Sequence, residues 1–204
     1  MTNSFAKIPG VFGIVVAAAI AMGATSPAAR AADPDMARQT AEVLIVDAHG
    51  ALADAGLSSA ERDKRLKQAV SDAFAFDVWE RFLLGDRIDQ FEDEQLAAFR
   101  DLLPGFLAKL YLDQFGKGLE AKPEIQDARK ARRDVLVRAQ IPRANGKTLP
   151  VDWRIRDFDG RGHLVIDVMV GGTSFLILKR DEFAAILENG GPDALLEHMR
   201  ANAV

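Results

Sequence analysis

The sequence predicts an α+β fold: a helical first half, an antiparallel meander sheet of about four strands, and two helices at the carboxyl end. Two observations carry this. Apolar residues recur every three or four positions up to about residue 115 and again after Gly171-Gly172, but alternate strictly between Asp134 and Val170. The alternating runs are separated by Asn145-Gly146 and Asp159-Gly160, pairs that adopt the positive φ angles of tight hairpins.

The 204 residues divide into two segments. Lys7 gives a weakly positive start, and Val11 to Met22 is an unbroken run of apolar and small residues. Pro27 breaks the run, and Ala29-Arg30-Ala31 offers small residues where a signal peptidase inspects the chain. Residues 1–31 are therefore expected to be a cleavable secretory signal, and residues 32–204 a single exported domain. The formal charge is −4 overall and, because the only charges in the first 31 residues are Lys7 and Arg30, −6 for the rest. An acidic domain is a poor general binder of nucleic acid or of an anionic membrane. The absence of cysteine excludes disulfides, thiolate metal sites and a cysteine nucleophile.

Asp33 before Pro34 marks the first helix, with Val43, Leu44, Val46 and Leu52 as its apolar positions. Ser58 and Glu61 have the spacing of a capping box. The segment they open carries Leu66, Val70, Phe74 and Trp79 and ends at Gly85. Leu96, Phe99, Leu103, Phe106 and Leu110 share one helical face, widened by Tyr111 and Phe115, and Pro104-Gly105 is expected to kink or break that helix.

In the second half, Val135, Val137, Ala139 and Ile141 alternate with polar residues, as do Val151, Trp153 and Ile155, and then Leu164, Ile166, Val168 and Val170. Each run has one apolar face, as a sheet covered on one side requires. A weaker strand precedes Arg129. After Gly171-Gly172, Ser174 caps a helix with Phe175, Leu178, Phe183, Ile186 and Leu187. Gly190-Gly191-Pro192 separates it from a short last helix with Leu195, Leu196 and Met199.

Catalytic patterns are weak. His49, His163 and His198 are too scattered for a local metal motif, and His163 falls on the polar face of its run, where it reads as solvated. Ser174 lacks the glycine frame of a hydrolase elbow. Asp157 and Asp159 start like a calcium loop, but Arg161 takes the third acidic position and no glutamate closes it. Gly146-Lys147-Thr148 resembles the end of a phosphate loop whose leading glycine is replaced by Ile141. Arg129, Lys130, Arg132 and Arg133 form the one dense basic run. It reads as the solvated start of a strand, or as a contact for a phosphate headgroup or an acidic partner. No catalytic or metal-binding residue is assigned, and no cofactor is expected.

Val151-Asp152-Trp153-Arg154-Ile155, Asp159-Gly160, Val165-Ile166-Asp167-Val168 and Gly171-Gly172-Thr173-Ser174 run in order, followed by Arg180, Phe183, Ile186, Leu187, Gly190-Gly191 and Asp193-Ala194-Leu195-Leu196. With Phe76-Asp77, Leu84-Gly85, Phe99, Phe106 and Tyr111 upstream, this set resembles the MlaC family of periplasmic phospholipid-binding proteins, also described as toluene-tolerance auxiliary proteins. The resemblance implies a sheet and helices enclosing an apolar cavity for lipid tails, with bound phospholipid as cargo. It implies a non-enzymatic shuttle between an outer-membrane lipoprotein complex and an inner-membrane ABC transporter complex with an MCE-domain protein, maintaining outer-membrane lipid asymmetry. On that basis the expected lipid-binding residues are Phe99, Leu103, Phe106, Leu110, Val151, Trp153, Ile166, Val168, Val170 and Phe175. The alternatives are a periplasmic enzyme of the cone-shaped α+β type acting on an apolar substrate, and an adaptor that binds only proteins.

Overall fold

The computed structural model describes residues 31–115, 122–142 and 146–204; residues 1–30 of the expected signal segment and Asn145 lie outside them. Five helices and five strands follow one another as α1 Pro34–Ala53, α2 Ser59–Ala73, α3 Phe76–Leu84, a 3-10 turn Gly85–Gln90, α4 Asp93–Phe115, β1 Glu124–Ala131, β2 Asp134–Pro142, β3 Thr148–Phe158, β4 Gly162–Val170, β5 Thr173–Ser174 and α5 Phe175–Ala201. The sheet is an antiparallel meander in the order β1-β2-β3-β4-β5. This is the expected α+β architecture, with the weaker strand before Arg129 realised as β1.

The helix starts obey the local chemistry. The Asp33 side chain accepts from the amides of Asp35 and Met36. Ser58 and Glu61 complete a reciprocal capping box, which satisfies two amide groups that the helix leaves without partners. Ser174 accepts from the amide of Ile177 and so caps α5. Within α5, Gly191 leaves the helical region at φ 67° and is followed by Pro192, so the element is two helices meeting at a bend.

Two expectations for the helices are revised. The stretch from Ser58 to Gly85 is two helices, because Phe74 turns extended and pairs with Val165 of β4. Pro104-Gly105 does not break α4, which runs on as one helix to Phe115. Gly105 instead admits another segment: its carbonyl accepts the amide of Val204, and a Cβ built there would stand 2.7 Å from the Val204 carbonyl oxygen.

The inner face of the sheet carries Val135, Val137, Ala139, Ile141, Val151, Trp153 and Ile155, all buried. Helix α1 packs over it through Leu44, Ile45 and Ala48. Helix α4 packs instead on α2, α3 and α5. Phe183 joins α5 to α4, with ring centroids 6.2 Å from Phe99 and 5.4 Å from Phe106.

A bulge in β4 alters the alternation. The register against β3 shifts between Arg154 and Ile155, so Val168 and Val170 face inward opposite Trp153 and Val151, but beyond the shift Val165 takes the inward place opposite Ile155. Leu164 therefore turns to the outer face, opposite Arg156, and His163 turns inward opposite Asp157. Instead of being solvated, the His163 side chain is 9% exposed and its Nε2 accepts the amide of Asp33 at 3.1 Å. A strict period of two cannot anticipate an inserted residue.

Candidate functional site

The bulge also decides where β4 meets the helices. Beyond its short pairing with β5, the outer edge of β4 is covered by the α2–α3 junction. The Val165 carbonyl accepts both the Ala75 amide at 3.0 Å and the Trp79 indole Nε1–H at 3.4 Å. This latch satisfies a strand edge that would otherwise present unpaired backbone groups.

Between this latch and α4 lies an apolar cavity. Val70 and Phe74 come from the end of α2, and Trp79 from α3. Leu107, Leu110, Tyr111 and Gln114 come from α4, Val168 and Val170 from β4, and Phe175 from the start of α5. Val70 and Trp79 form the deep wall, each 1% exposed, while Leu110, Gln114, Val168, Val170 and Phe175 are half-buried and form the rim. The cavity thus opens near the carboxyl end of α4 and the Gly171-Gly172 turn. Its free volume is about 40 Å³, room for a few waters at the ~10–15 Å³ that each requires. Two acyl chains do not fit between the walls as they stand. An apolar void leaves its lining without contacts on one side, so walls that can move draw together.

Of the expected lipid-binding residues, the structure brings Leu110, Val168, Val170 and Phe175 together in this lining. Phe99, Leu103 and Phe106 are buried on α4, and the two rings pack on Phe183. Val151 and Trp153 are buried in the inner face of β3, next to Val170 and Val168. Ile166 is the extra residue of the bulge, buried but apart from the main core cluster. Lining residues outside the expected set include Leu107, Tyr111 and Gln114. They step by three or four along α4 on the flank of the stripe that carries Phe99, Phe106 and Leu110, the side that Tyr111 widens. Phe74 and Trp79 follow Leu66 and Val70 in one apolar run, but they reach the cavity because α2 ends at Ala73 and the chain turns at Phe74 before α3.

The site is electrostatically quiet. Tyr111 is its titratable member, and burial pushes its hydroxyl far above the ordinary value, so it stays neutral. Asp167 neighbours Val168 in sequence but lies on the other side of β4. Its two oxygens accept from the Ser174 hydroxyl at 2.8 Å and the Leu176 amide at 3.3 Å. Burial raises its pKa, and those hydrogen bonds offset part of the rise. Among the described residues no group of three or more His, Asp or Glu is placed to hold a metal ion, and no helix is long and apolar enough to cross a membrane. The other concavities are surface clefts with charged residues in their lining.

Helices thus cover one face of the sheet, and the hollow between α4 and β4 has no charged residue in its lining. The chain belongs to the MlaC protein family, whose pattern matches residues 39–201, and that membership supports a general role in lipid binding and transport. Among solved structures it is similar to a phospholipid-binding protein from Ralstonia solanacearum, determined in complex with a phospholipid. The two share 17% sequence identity with a TM-score of 0.64, over 84% of this chain and 97% of that one. No curated protein matches the sequence.

Proposed function

We propose that the protein is a periplasmic phospholipid carrier that holds acyl chains between α4 and β4. The supporting observation is the cavity itself: its lining, drawn from five elements, is apolar save for Tyr111 and Gln114. The Ralstonia solanacearum protein, which shares the fold, binds a phospholipid. In this reading residues 1–31 direct export and are removed, leaving residues 32–204 as the carrier. The carrier shuttles lipid between an outer-membrane lipoprotein complex and an inner-membrane ABC transporter complex with an MCE-domain protein, and so maintains outer-membrane lipid asymmetry.

Transferring a phospholipid's tails into water costs about 0.8 kcal/mol per methylene, roughly 20 kcal/mol or more for two long chains. Free diffusion across an aqueous compartment is therefore negligible. A cavity that matches the bilayer makes transfer nearly isoenergetic and reversible, so direction must come from a partner. Loading requires α4 to move away from β4. That motion breaks side-chain packing rather than a backbone ladder, because α4 is anchored to other helices. Leu110, Val168, Val170 and Phe175 are the first contacts for a tail. Phe99, Leu103, Phe106, Val151, Trp153 and Ile166 form the wall behind them, reached as the layers part.

Solvent extraction of the purified protein followed by mass spectrometry tests the reading. Co-purifying phospholipid is expected. A lipid-free protein that turns over an added apolar substrate would point to the enzyme alternative, and one that does neither would point to the protein-only adaptor.

A further inference from the structure

The outer face of the sheet, remote from the cavity, carries a basic cleft that lipid binding does not use. Asp134 lies at its base with a side chain 0% exposed. The Arg154 Nε donates to Asp134 Oδ2 at 2.7 Å, and Arg156 donates through Nε to Oδ1 at 2.7 Å and through Nη2 to Oδ2 at 3.1 Å. The carboxylate is thus occupied by the inner edges of two guanidinium groups, while the Arg154 Nη groups and the Arg156 Nη1 bond nothing among the described residues. Arg132 and Arg133 form the β1–β2 turn and close the cleft. Both are exposed, and neither forms an ion pair among the described residues. Arg132 holds φ at 59°, a left-handed conformation that favours glycine. Four arginines and one aspartate line a cleft of about 430 Å³, an excess of three positive charges on a domain whose residues 32–204 sum to −6.

We propose that this cleft docks an acidic protein surface, with the four arginines receiving its carboxylates. The occupant follows from three features. The inward side chains Val135 and Ile155 face the core, whereas Asp134, Arg154 and Arg156 face out, so the sheet separates the cleft from any lipid held in the cavity. A cargo headgroup therefore does not reach it. The surrounding domain is acidic, which opposes spreading on an anionic bilayer but leaves a local attraction for a complementary protruding surface. Guanidinium forks pre-set by a buried carboxylate offer the planar geometry that carboxylates accept, and fixing them in advance lowers the entropy lost on binding. Elsewhere on this face Arg138 pairs with Asp152 in two bonds of 2.8 and 2.9 Å, and Asp167, opposite Arg154, is held by Ser174 and Leu176.

The inference stands apart from the carrier reading, because the cleft and the cavity share no residue. Its test uses fluorescein-labelled poly-L-glutamate and, separately, vesicles containing phosphatidylglycerol, each titrated with the full chain at several salt concentrations. Arg132→Glu/Arg133→Glu reverses the exposed charges without disturbing Asp134. We expect the wild type to bind polyglutamate in a salt-sensitive way, with the double variant at least roughly ten-fold weaker. Co-purified phospholipid should be unchanged by the substitutions. Arg38→Glu/Arg65→Glu, an equal charge change elsewhere, should stay within about two-fold of the wild type. Equal weakening by both double variants, no weakening by the first, or binding to the vesicles in place of polyglutamate would overturn the proposal.

Discussion

The indole nitrogen of Trp79 donates to the main-chain carbonyl of Val165 at 3.4 Å, tying the deep wall of the cavity to the bulged strand opposite. The same carbonyl holds Ala75, so the α2–α3 junction stays on the sheet, whereas among the described residues α4, on the other side of the cavity, makes no such bond to the sheet. On the carrier reading proposed above, this asymmetry makes α4 the wall that moves. Trp79→Phe keeps most of the buried ring but removes the donor, and should lower stability by about 1 kcal/mol. Trp79→Ala should cost about 3–5 kcal/mol through the space it leaves. Urea denaturation checks both.

Filling the hollow should compete with lipid. Val168→Trp places a large ring at the rim, where exposure leaves room for the protein to stay folded. Phospholipid recovered from the purified variant should fall several-fold while its far-ultraviolet circular dichroism stays that of the wild type. Unchanged lipid in this variant and in Val170→Trp would argue against the α4–β4 site.

Two aspartates on the outer face should give opposite pH dependences. Burial raises the Asp134 pKa, but the bonds from Arg156 and Arg154 outweigh it and hold the carboxyl below its ordinary value. Its contribution to stability is present above ~3.9, the unfolded value, and is lost as pH falls through the depressed folded value. Asp134→Asn leaves two arginines without their anion and should cost on the order of 3 kcal/mol at neutral pH, with the deficit shrinking in strong acid. Asp167 is shifted upward by burial. Its contribution is present below ~3.9 and is lost as pH rises through the raised value. Asp167→Asn, which can still accept from Leu176 and can donate to Ser174, should therefore gain stability relative to the wild type at neutral pH and lose that advantage in acid. Thermal melts from about pH 2 to 8 measure both.

Gly105→Ala should destabilise the protein by about 1–3 kcal/mol, since the added Cβ meets the Val204 carbonyl oxygen at 2.7 Å. Removing Ala203 and Val204 should cancel most of that loss. Non-additivity in this double change, read from denaturation midpoints, reports the contact directly.

Much of this architecture was legible in the sequence because its signals are local. Ser58 with Glu61, Asp33 with Pro34, and the alternation through Val135–Ile141 depend on neighbours in the chain, and each appears where expected. Local pattern is silent where distant segments decide the outcome. Nothing near Val165 announces the bulge, so strict alternation places His163 and Leu164 on the faces opposite to those they take. Nothing near Pro104 announces that Val204 packs on Gly105. The cavity was half legible for the same reason: apolar pattern marks what is buried, but not which buried residues meet and which leave a gap. Phe99 and Phe106 have the same periodicity as Leu110, yet they close on Phe183 while Leu110 borders the hollow.

The most direct measurement is photolabelling with a phospholipid carrying a diazirine on its acyl chain, followed by peptide mapping. The account predicts label in the segments spanning 107–114 and 168–175, the two sides of the hollow between α4 and β4. Label concentrated elsewhere, on the outer face of the sheet or in the groove between α1 and α2, would contradict it.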